Sequence, residues 1–376
     1  FLSALGGQLD AWGGEGAGEG HPAAAGYRHD AERIAGELRH ARTVIVWGER
    51  VGRGPSGPEA LSALLTCASG LNAAADGAGL IGIPDGANGR GLRDVGCAGA
   101  DPEAIRDALG AGDLDAVLLV NCDPVRELAG GPRWAEALRK ARAVVAVSMF
   151  EDATAAAADV VLPAEAYAEK EGTVTHPDGR LQRLRPVVPH PAEVRPTWQV
   201  LAELSARLGH ETGIDSAPEA LKAIAADVPI YAGLTHEEIG GRGVRWQERE
   251  AAAAFGAPES SEAAPAPAVA HANGGLRLGT YRDLWADEVT DRNVALRFLA
   301  PTQRLELSTA DAEELGLADG DRVEVRSNGA SVGARVALRA RIRPGAAFLI
   351  EGTATDNATA LAGAEAIEVT KVEAGA

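Results

Sequence analysis

At 376 residues the chain is too long for one ordinary core and predicts two or three domains. A formal net charge of −18 argues against nucleic-acid binding by phosphate neutralisation. No run approaches the roughly 18–20 apolar residues that span a bilayer, so no direct membrane insertion is expected. Cys67, Cys97 and Cys122 are isolated, with no C-x-x-C and no histidine at ligand spacing. That pattern predicts no iron–sulfur or zinc site in this segment and reduced thiols in a cytoplasmic setting.

The chain opens on Phe1-Leu2-Ser3, without an initiator Met and without the basic region of a signal peptide. It reads as the C-terminal fragment of a longer protein. Helical spacing of Ile34 and Leu38 predicts a helix over 30–41, followed by a strand over 43–47. A second helix is expected over 58–69, with Leu61, Leu64 and Leu65 on one face. Asp101, Pro102 and Gly110 punctuate a third as N-cap, first turn and stop. Strands over 116–120, 143–147 and 160–162 alternate with a helix over 132–141. The last strand stops at Pro163. Such alternation predicts an α/β fold with a doubly wound, mostly parallel sheet covered on both faces. His176-Pro177-Asp178-Gly179 suits a type I turn at the tip of a hairpin. A helix over 196–208 carries Trp198, Leu201 and Leu208 on one stripe, and 210–250 read as irregular with short helices.

The composition changes over 255–275, rich in Ala, Pro, Glu and Ser, which predicts a linker or long loop. Beyond it the pattern turns to β. Strands are expected over 304–307, 322–326, 331–342 and 346–350, with a capped helical turn at Ser308–Asp311 closed by Gly316. The domain expectation is 1–250 for the α/β part, 251–275 for the linker and 276–376 for the β part.

The candidate binding residues come from loops. Asn121-Cys122-Asp123-Pro124 follows a parallel strand, where open α/β sheets bind ligands. Asn121 and Asp123 can accept hydrogen bonds from a base or ribose, or can simply shape the turn. Lys170, Gly172 and Thr173 on one side of the hairpin, and Gly179, Arg180 and Gln182 on the other, form a second group. Without a ligand, Lys170 or Arg180 would clamp the hairpin to neighbouring carboxylates. The loop 87–94 is Gly-rich with two arginines and suits an anion or an interface. Gly52-Arg53-Gly54-Pro55-Ser56-Gly57 fits G-x-G-x-x-G, with Asp76 near the distance of a ribose-binding acid. Arg335, Arg339, Arg341 and Arg343 form a basic series that would be solvated or meet an acidic partner. No nucleophile–base grouping is legible, so no catalytic residue is assigned.

The run 159–183 resembles the segment ADVVLP…EK.GT…GR.Q of the molybdopterin oxidoreductase superfamily. The run Leu315-Gly316-Leu317-Ala318-Asp319-Gly320-Asp321, with Val323-Glu324-Val325 and Arg343-Pro344-Gly345, resembles that superfamily's molybdopterin-dinucleotide-binding barrel, a six-stranded double-psi β-barrel. The loop Ala87-Asn88-Gly89-Arg90-Gly91-Leu92-Arg93-Asp94 is similar to one in the G-type iron–sulfur subunits of bacterial NADH-quinone oxidoreductase (respiratory complex I). The resemblance implies that Asn121, Asp123, Lys170, Gly172, Thr173, Gly179, Arg180, Gln182 and Asn357 lie beside a pterin crevice, here vestigial. His176 stands where relatives more usually carry Asn. For a fragment of such an iron–sulfur subunit the resemblance further implies 4Fe-4S clusters upstream and no cofactor in this segment. It also implies a scaffolding role, the other complex I subunits as partners, and a position on the inner face of the bacterial membrane. One alternative is a catalytic molybdopterin enzyme of the formate dehydrogenase type, using molybdopterin guanine dinucleotide. The second is an NAD-dependent dehydrogenase, resting on Gly52–Gly57. The expected crevice is recognisable, with at most weak nucleotide affinity.

Overall fold

The computed structural model describes residues 2, 5, 28–38, 41–52, 57–97, 101–254, 275–327, 329–364 and 366–372. The expected linker therefore lies outside the described residues, apart from 251–254 and Gly275, as do Arg53-Gly54-Pro55-Ser56 and Asn328. In chain order the strands are β1 (Val44–Gly48), β2 (Gly79–Ile83), β3 (Ala116–Val120), β4 (Ala143–Ser148), β5 (Val160–Pro163), β6 (Gly172–Thr175) and β7 (Arg180–Leu184). They continue with β8 (Val244–Arg245), β9 (Arg277–Arg282), β10 (Arg304–Leu307), β11 (Arg322–Ser327), β12 (Ala330–Leu338), β13 (Ala346–Glu351) and β14 (Glu368–Lys371). The fold is α/β with parallel sheets and a mixed six-stranded sheet. Two compact units interleave along the chain: Phe1–Gly99 with Glu165–Val269, and Ala100–Ala164 with Ala270–Ala376.

In the first unit β1 and β2 pair in parallel, from Val44 opposite Gly79 to Gly48 opposite Ile83. The helix Gly57–Gly70 buries Leu64, Cys67 and Ala68. Ala31 and Ala35 of the helix Arg28–Leu38 pack with Cys67. The loop 87–94 is not open coil. All of it but the first two residues is the helix Gly89–Asp94, in which Arg90 Nε donates to Asp94 Oδ1 at 2.9 Å. Both glycines are needed there for space. A Cβ on Gly89 would stand 2.6 Å from the Pro84 side chain, and one on Gly91 2.3 Å from Asn88 Oδ1. That Asn88 oxygen accepts from the Thr175 amide of β6 at 2.9 Å. The region expected to be irregular contains an eleven-residue helix, Ala217–Asp227, capped by Ser216. Its Leu221 and Ala225 join Leu181, Ile230, Tyr231 and Trp246 in the core of this unit. The stripe on the helix Thr197–Arg207 is shorter than expected, since Leu208 caps it and is largely exposed.

In the second unit β3, β4 and β5 form a parallel sheet in that order. The helix Pro102–Ala111 starts as its sequence dictates, with Asp101 accepting from the Glu103 amide. It ends two residues later than expected, because Gly112 and not Gly110 adopts the left-handed conformation, at φ 84°. Leu109, Trp134 and Ala137 form one apolar cluster, and Leu119, Leu138 and Val144 the next. Helices Pro102–Ala111 and Gly131–Lys140 thereby cover one face of the sheet, while Leu118, Val160 and Val161 remain exposed. Pro163 does not stop β5 but closes it, opposite Ser148. A proline is tolerated at this last, edge position because no ladder bond needs its missing N–H.

The barrel of the second unit has the strand order β14-β11-β12-β10-β13-β9. β10 pairs with β12, and β13 with β9, in parallel; the other neighbours are antiparallel. One antiparallel bridge, Leu276 to Ile367, joins the two outer strands and closes the ring. Leu305, Leu307, Val325 and Leu349 are fully buried inside. Each such side chain contributes about 1.5–3 kcal/mol of hydrophobic stabilisation. β12 ends at Leu338, so of the arginine series only Arg335 lies on the strand.

Gln303 is the buried polar pin of the barrel. Its Nε2 donates to the Ile350 and Asp356 carbonyls, both at 2.8 Å. Its Oε1 accepts from the Ile350 amide at 2.8 Å and from the Arg304 amide at 3.0 Å. Gln303→Ala strands buried backbone groups and is expected to cost about 2–4 kcal/mol in equilibrium urea unfolding. Replacing the exposed Gln182 by Ala is expected to stay within about 0.5 kcal/mol.

Candidate functional site

Of the residues singled out in the sequence, Asn121, Asp123 and Asn357 belong to the second unit. Lys170, Gly172, Thr173, Gly179, Arg180 and Gln182 belong to the first. The hairpin of the first unit forms as expected. Gly179 donates to the His176 carbonyl at 2.8 Å, and His176 donates to the Arg180 carbonyl at 2.8 Å. Gly179, at φ 84°, supplies the left-handed residue that follows a type I turn in a hairpin. The clamp on its tip differs from the one expected. Asp178 Oδ2 accepts from Arg245 Nη2 at 2.7 Å, on β8, whereas Arg180 Nη1 reaches only the Arg242 carbonyl at 3.4 Å. Desolvation opposes ionisation of Asp178, yet Arg245 and His176 outweigh it and hold the carboxyl down at about 2. Thr173 and Gln182 face Arg183 and Val174 across the ladder. Lys170 is half-buried, ahead of β6.

In the second unit the loops after β3 and β4 leave the same carboxyl edge of the parallel sheet. With Arg282, 286–289, 351–352 and Thr359 of the barrel part they line a cavity of about 250 Å³. Asn121 takes a left-handed conformation at φ 48°, which Asn tolerates better than most residues. Its amide N–H donates to the Val147 carbonyl at 2.9 Å, and its exposed side chain makes no hydrogen bond to described residues. Asp123 is buried and caps the helix Pro124–Glu127. Its Oδ1 accepts from the amides of Val125 and Arg126 at 3.1 and 3.3 Å and from the Thr154 hydroxyl. Burial nevertheless raises its carboxyl above the ordinary range. Asn357 is equally committed. Its oxygen accepts from the Gly352 and Thr359 amides at 3.0 and 3.2 Å, and its Nδ2 donates to the Arg126 carbonyl at 2.8 Å.

The residue that organises this site had no signal in the sequence. Arg126 forms ion pairs with Glu288 and Asp291, and its Nε donates to the Gly352 carbonyl at 3.2 Å. Asp152 and Asp287 each cap a short helix, Ala153–Ala156 and Glu288–Arg292. Such caps are legible as Asp followed three residues later by a bonded amide, but nothing local says that both face one cavity. The cavity wall therefore carries six acids, Asp123, Glu127, Asp152, Asp287, Glu288 and Glu351, against Arg126 and Arg282. Cys122 registers that field. Burial first, then Glu127, Asp123 and Asp152, push its thiol up to about 12. No group of three metal-ligating side chains converges among the described residues.

A profile of the molybdopterin oxidoreductase family matches residues 18–207. The chain belongs to that family. A second profile, the molybdopterin dinucleotide binding domain, matches residues 276–374. The NADPH-Fe(3+) oxidoreductase subunit alpha of Geobacter sulfurreducens is 30% identical over 81% of this chain and 38% of its own length. The F420-dependent formate dehydrogenase 2 subunit alpha of Methanococcus maripaludis is 28% identical over 57% of this chain and 35% of its own. The second G-type subunit of NADH-quinone oxidoreductase in Rhizobium meliloti is 29% identical over 67% of this chain and 29% of its own. The chain thus spans between 29% and 38% of the length of these three relatives. Acetylene hydratase from Pelobacter acetylenicus shares the fold, with a TM-score of 0.57 at 15% identity over 73% of this chain and 47% of that one.

The family implies a pterin dinucleotide, and the cavity of the second unit fits only one end of it. A diphosphate needs cations or free N–H groups. Here the helix Pro124–Glu127 offers no free N-terminus, since Asp123 occupies it, and Arg126 is consumed by two carboxylates. Of the two lining arginines only the exposed Arg282, whose guanidinium makes no hydrogen bond or ion pair to described residues and lies in the field of Glu127, could meet a phosphate. The acceptor-rich wall suits the N–H donors of a base or the hydroxyls of a ribose. At about 250 Å³ the cavity also falls below the roughly 300–1,000 Å³ usual for small-molecule sites. Of the G-x-G-x-x-G run, Gly57 has a packing explanation: a Cβ there would stand 2.0 Å from the Gly52 carbonyl oxygen.

Three outcomes follow from this geometry. Arg126→Met leaves Glu288 and Asp291 partly buried and without Arg126, and is expected to cost about 2–4 kcal/mol in urea unfolding. With its thiol at about 12, Cys122 resists iodoacetamide at pH 8, where on the order of one molecule in ten thousand carries the thiolate; the exposed Cys97 labels first, as peptide mapping will show. Because the folded state holds the Cys122 proton longer than the unfolded chain does, stability falls as pH rises from about 9 toward about 12.

Proposed function

We propose that this chain is the cluster-free part of a G-type iron–sulfur subunit of NADH-quinone oxidoreductase, and that it works as scaffold. The iron–sulfur clusters that pass electrons from NADH toward quinone would then lie elsewhere in the longer polypeptide. The partners would be the other subunits of that complex, which holds this segment at the inner face of the bacterial membrane. Its sequence modules are the α/β part over 1–250, the linker over 251–275 and the barrel over 276–376. No helix among the described residues is long and apolar enough to cross a membrane.

The observation that carries this reading is the acidic cavity. In a chain of a pterin-binding family, the edge of the sheet presents carboxylates where a diphosphate would need cations. The Rhizobium meliloti relative, similar over 67% of the chain, supports it. The loop 87–94 supports it as well, since its helix Gly89–Asp94 spends its polar groups on internal bonds. The formate dehydrogenase relative favours a second reading, a catalytic molybdopterin enzyme. In that reading Asn121, Asp123, Lys170, Gly172, Thr173, Gly179, Arg180, Gln182 and Asn357 would line a working cofactor crevice.

Calorimetric titration of the purified chain with GDP separates the two. The scaffold reading expects a Kd weaker than about 1 μM, roughly −8 kcal/mol, and sub-stoichiometric molybdenum by elemental analysis. Tighter binding, or about one molybdenum per chain, would establish the second reading instead.

A further inference from the structure

We propose that the acidic cavity at the carboxyl edge of β3 and β4, together with the apolar segment 284–298 beside it, is a docking surface for a partner protein that inserts a basic side chain between apolar contacts. The inference rests on the scaffold reading and names the chemistry of the partner that scaffold would hold.

The apolar part is unusual for a monomer surface. Leu284, Val294 and Phe298 are 79%, 78% and 79% exposed, and Trp285 and Val289 also remain partly exposed. Five large apolar side chains within fifteen residues are each left at least a third exposed, a concentration that suits a protein interface. The segment is continuous with the cavity, because its Ala286 and Val289 line the wall. It is also firmly built. Asp287 caps the helix Glu288–Arg292, the Arg297 amide donates to the Asn293 carbonyl at 2.8 Å, and Arg292 Nη2 donates to the Glu151 carbonyl at 2.7 Å. A rigid apolar lip around a polar pocket suits an interface anchored by one inserted side chain.

Charge selects the occupant. Six acids face two arginines in the cavity, and Arg126 is already taken by Glu288 and Asp291. A second copy of this chain would bring the same −18 charge and the same acids, so like charges oppose self-association. The same acids disfavour a phosphate-bearing ligand, and no three metal-ligating side chains converge among the described residues. A cavity of about 250 Å³, walled by Met149 and Phe150 as well as by carboxylates, accommodates one extended Arg or Lys side chain. Arg is among the residues enriched as buried anchors at interfaces.

The test uses the full-length gene product in its native host, with a benzophenone amino acid in place of Phe298. The complex is purified, irradiated and mapped by mass spectrometry. The expected cross-link reaches another polypeptide, at a segment where a Lys or Arg adjoins apolar residues. Glu127→Lys in the same background is expected to lower its yield on the order of tenfold, and Glu127→Gln to lower it less. Should the lysine variant fail to fold, the glutamine variant decides. Absence of any cross-link, cross-links confined to this polypeptide or to a second copy, a partner segment without a basic residue, or a yield unchanged in both variants would each overturn the docking surface. Any of these beside weak GDP binding leaves the scaffold reading standing. Tight GDP binding removes the scaffold reading whatever the cross-links show.

Discussion

The second unit depends on a single arginine. The guanidinium of Arg126 holds Glu288 and Asp291 and reaches the Gly352 carbonyl, while its own carbonyl accepts from Asn357 and Thr359. Segments more than 160 residues apart in sequence are thereby fixed to one short helix. A planar, always-charged group with five donors is suited to this, because it can satisfy two carboxylates and a carbonyl at once. Its loss exposes the cost of the arrangement, since carboxylates taken out of water need their counter-charge.

Around that hub most polar groups are already spent. Asp123, Asp152 and Asp287 cap helices, Asn357 ties two loops, and Thr154 binds Asp123. Satisfying hydrogen bonds does not cancel charge, however. The carboxylates still create a negative field, which adds to burial in raising the Cys122 thiol. A wall of this sign disfavours a diphosphate and favours a cation.

The first unit shows how a family-like motif acquires a structural role. In the run Asn88-Gly89-Arg90-Gly91, the two glycines make room for Pro84 and for the Asn88 side chain, and Asn88 accepts the Thr175 amide. Asp94 accepts from Arg90 and from the Tyr231 hydroxyl, which also lies 3.3 Å from Thr175 Oγ1. Desolvation and Asp94 together push the Tyr231 hydroxyl well above its usual value. Arg90 sits over the Trp246 ring at 5.8 Å. The loop that the sequence left open between an anion and an interface bonds to the hairpin through Asn88 and the Thr175 amide.

Local signals were enough for much of this protein. Strands β3 and β10 and the turn 176–179 carry their own patterns, because apolar periodicity, caps and turn residues act between near neighbours. The family was legible for the same reason, in the runs 159–183 and 315–325. The strands β9 and β14 lacked such a signal: Arg277–Arg282 and Glu368–Lys371 alternate too weakly, and become strands only when the barrel closes through Leu276 and Ile367. The roles of site residues were least legible. Asn121 and Asp123 could be found in a loop, but whether a carboxylate caps a helix or faces a ligand depends on which amides the fold brings within hydrogen-bonding reach. The sequence by itself determined the α/β class, the barrel and the overall acidity. Only the tertiary structure decided that six of those acids share one wall and that Arg126 is already engaged, because charge adds by proximity in space, which local sequence does not encode.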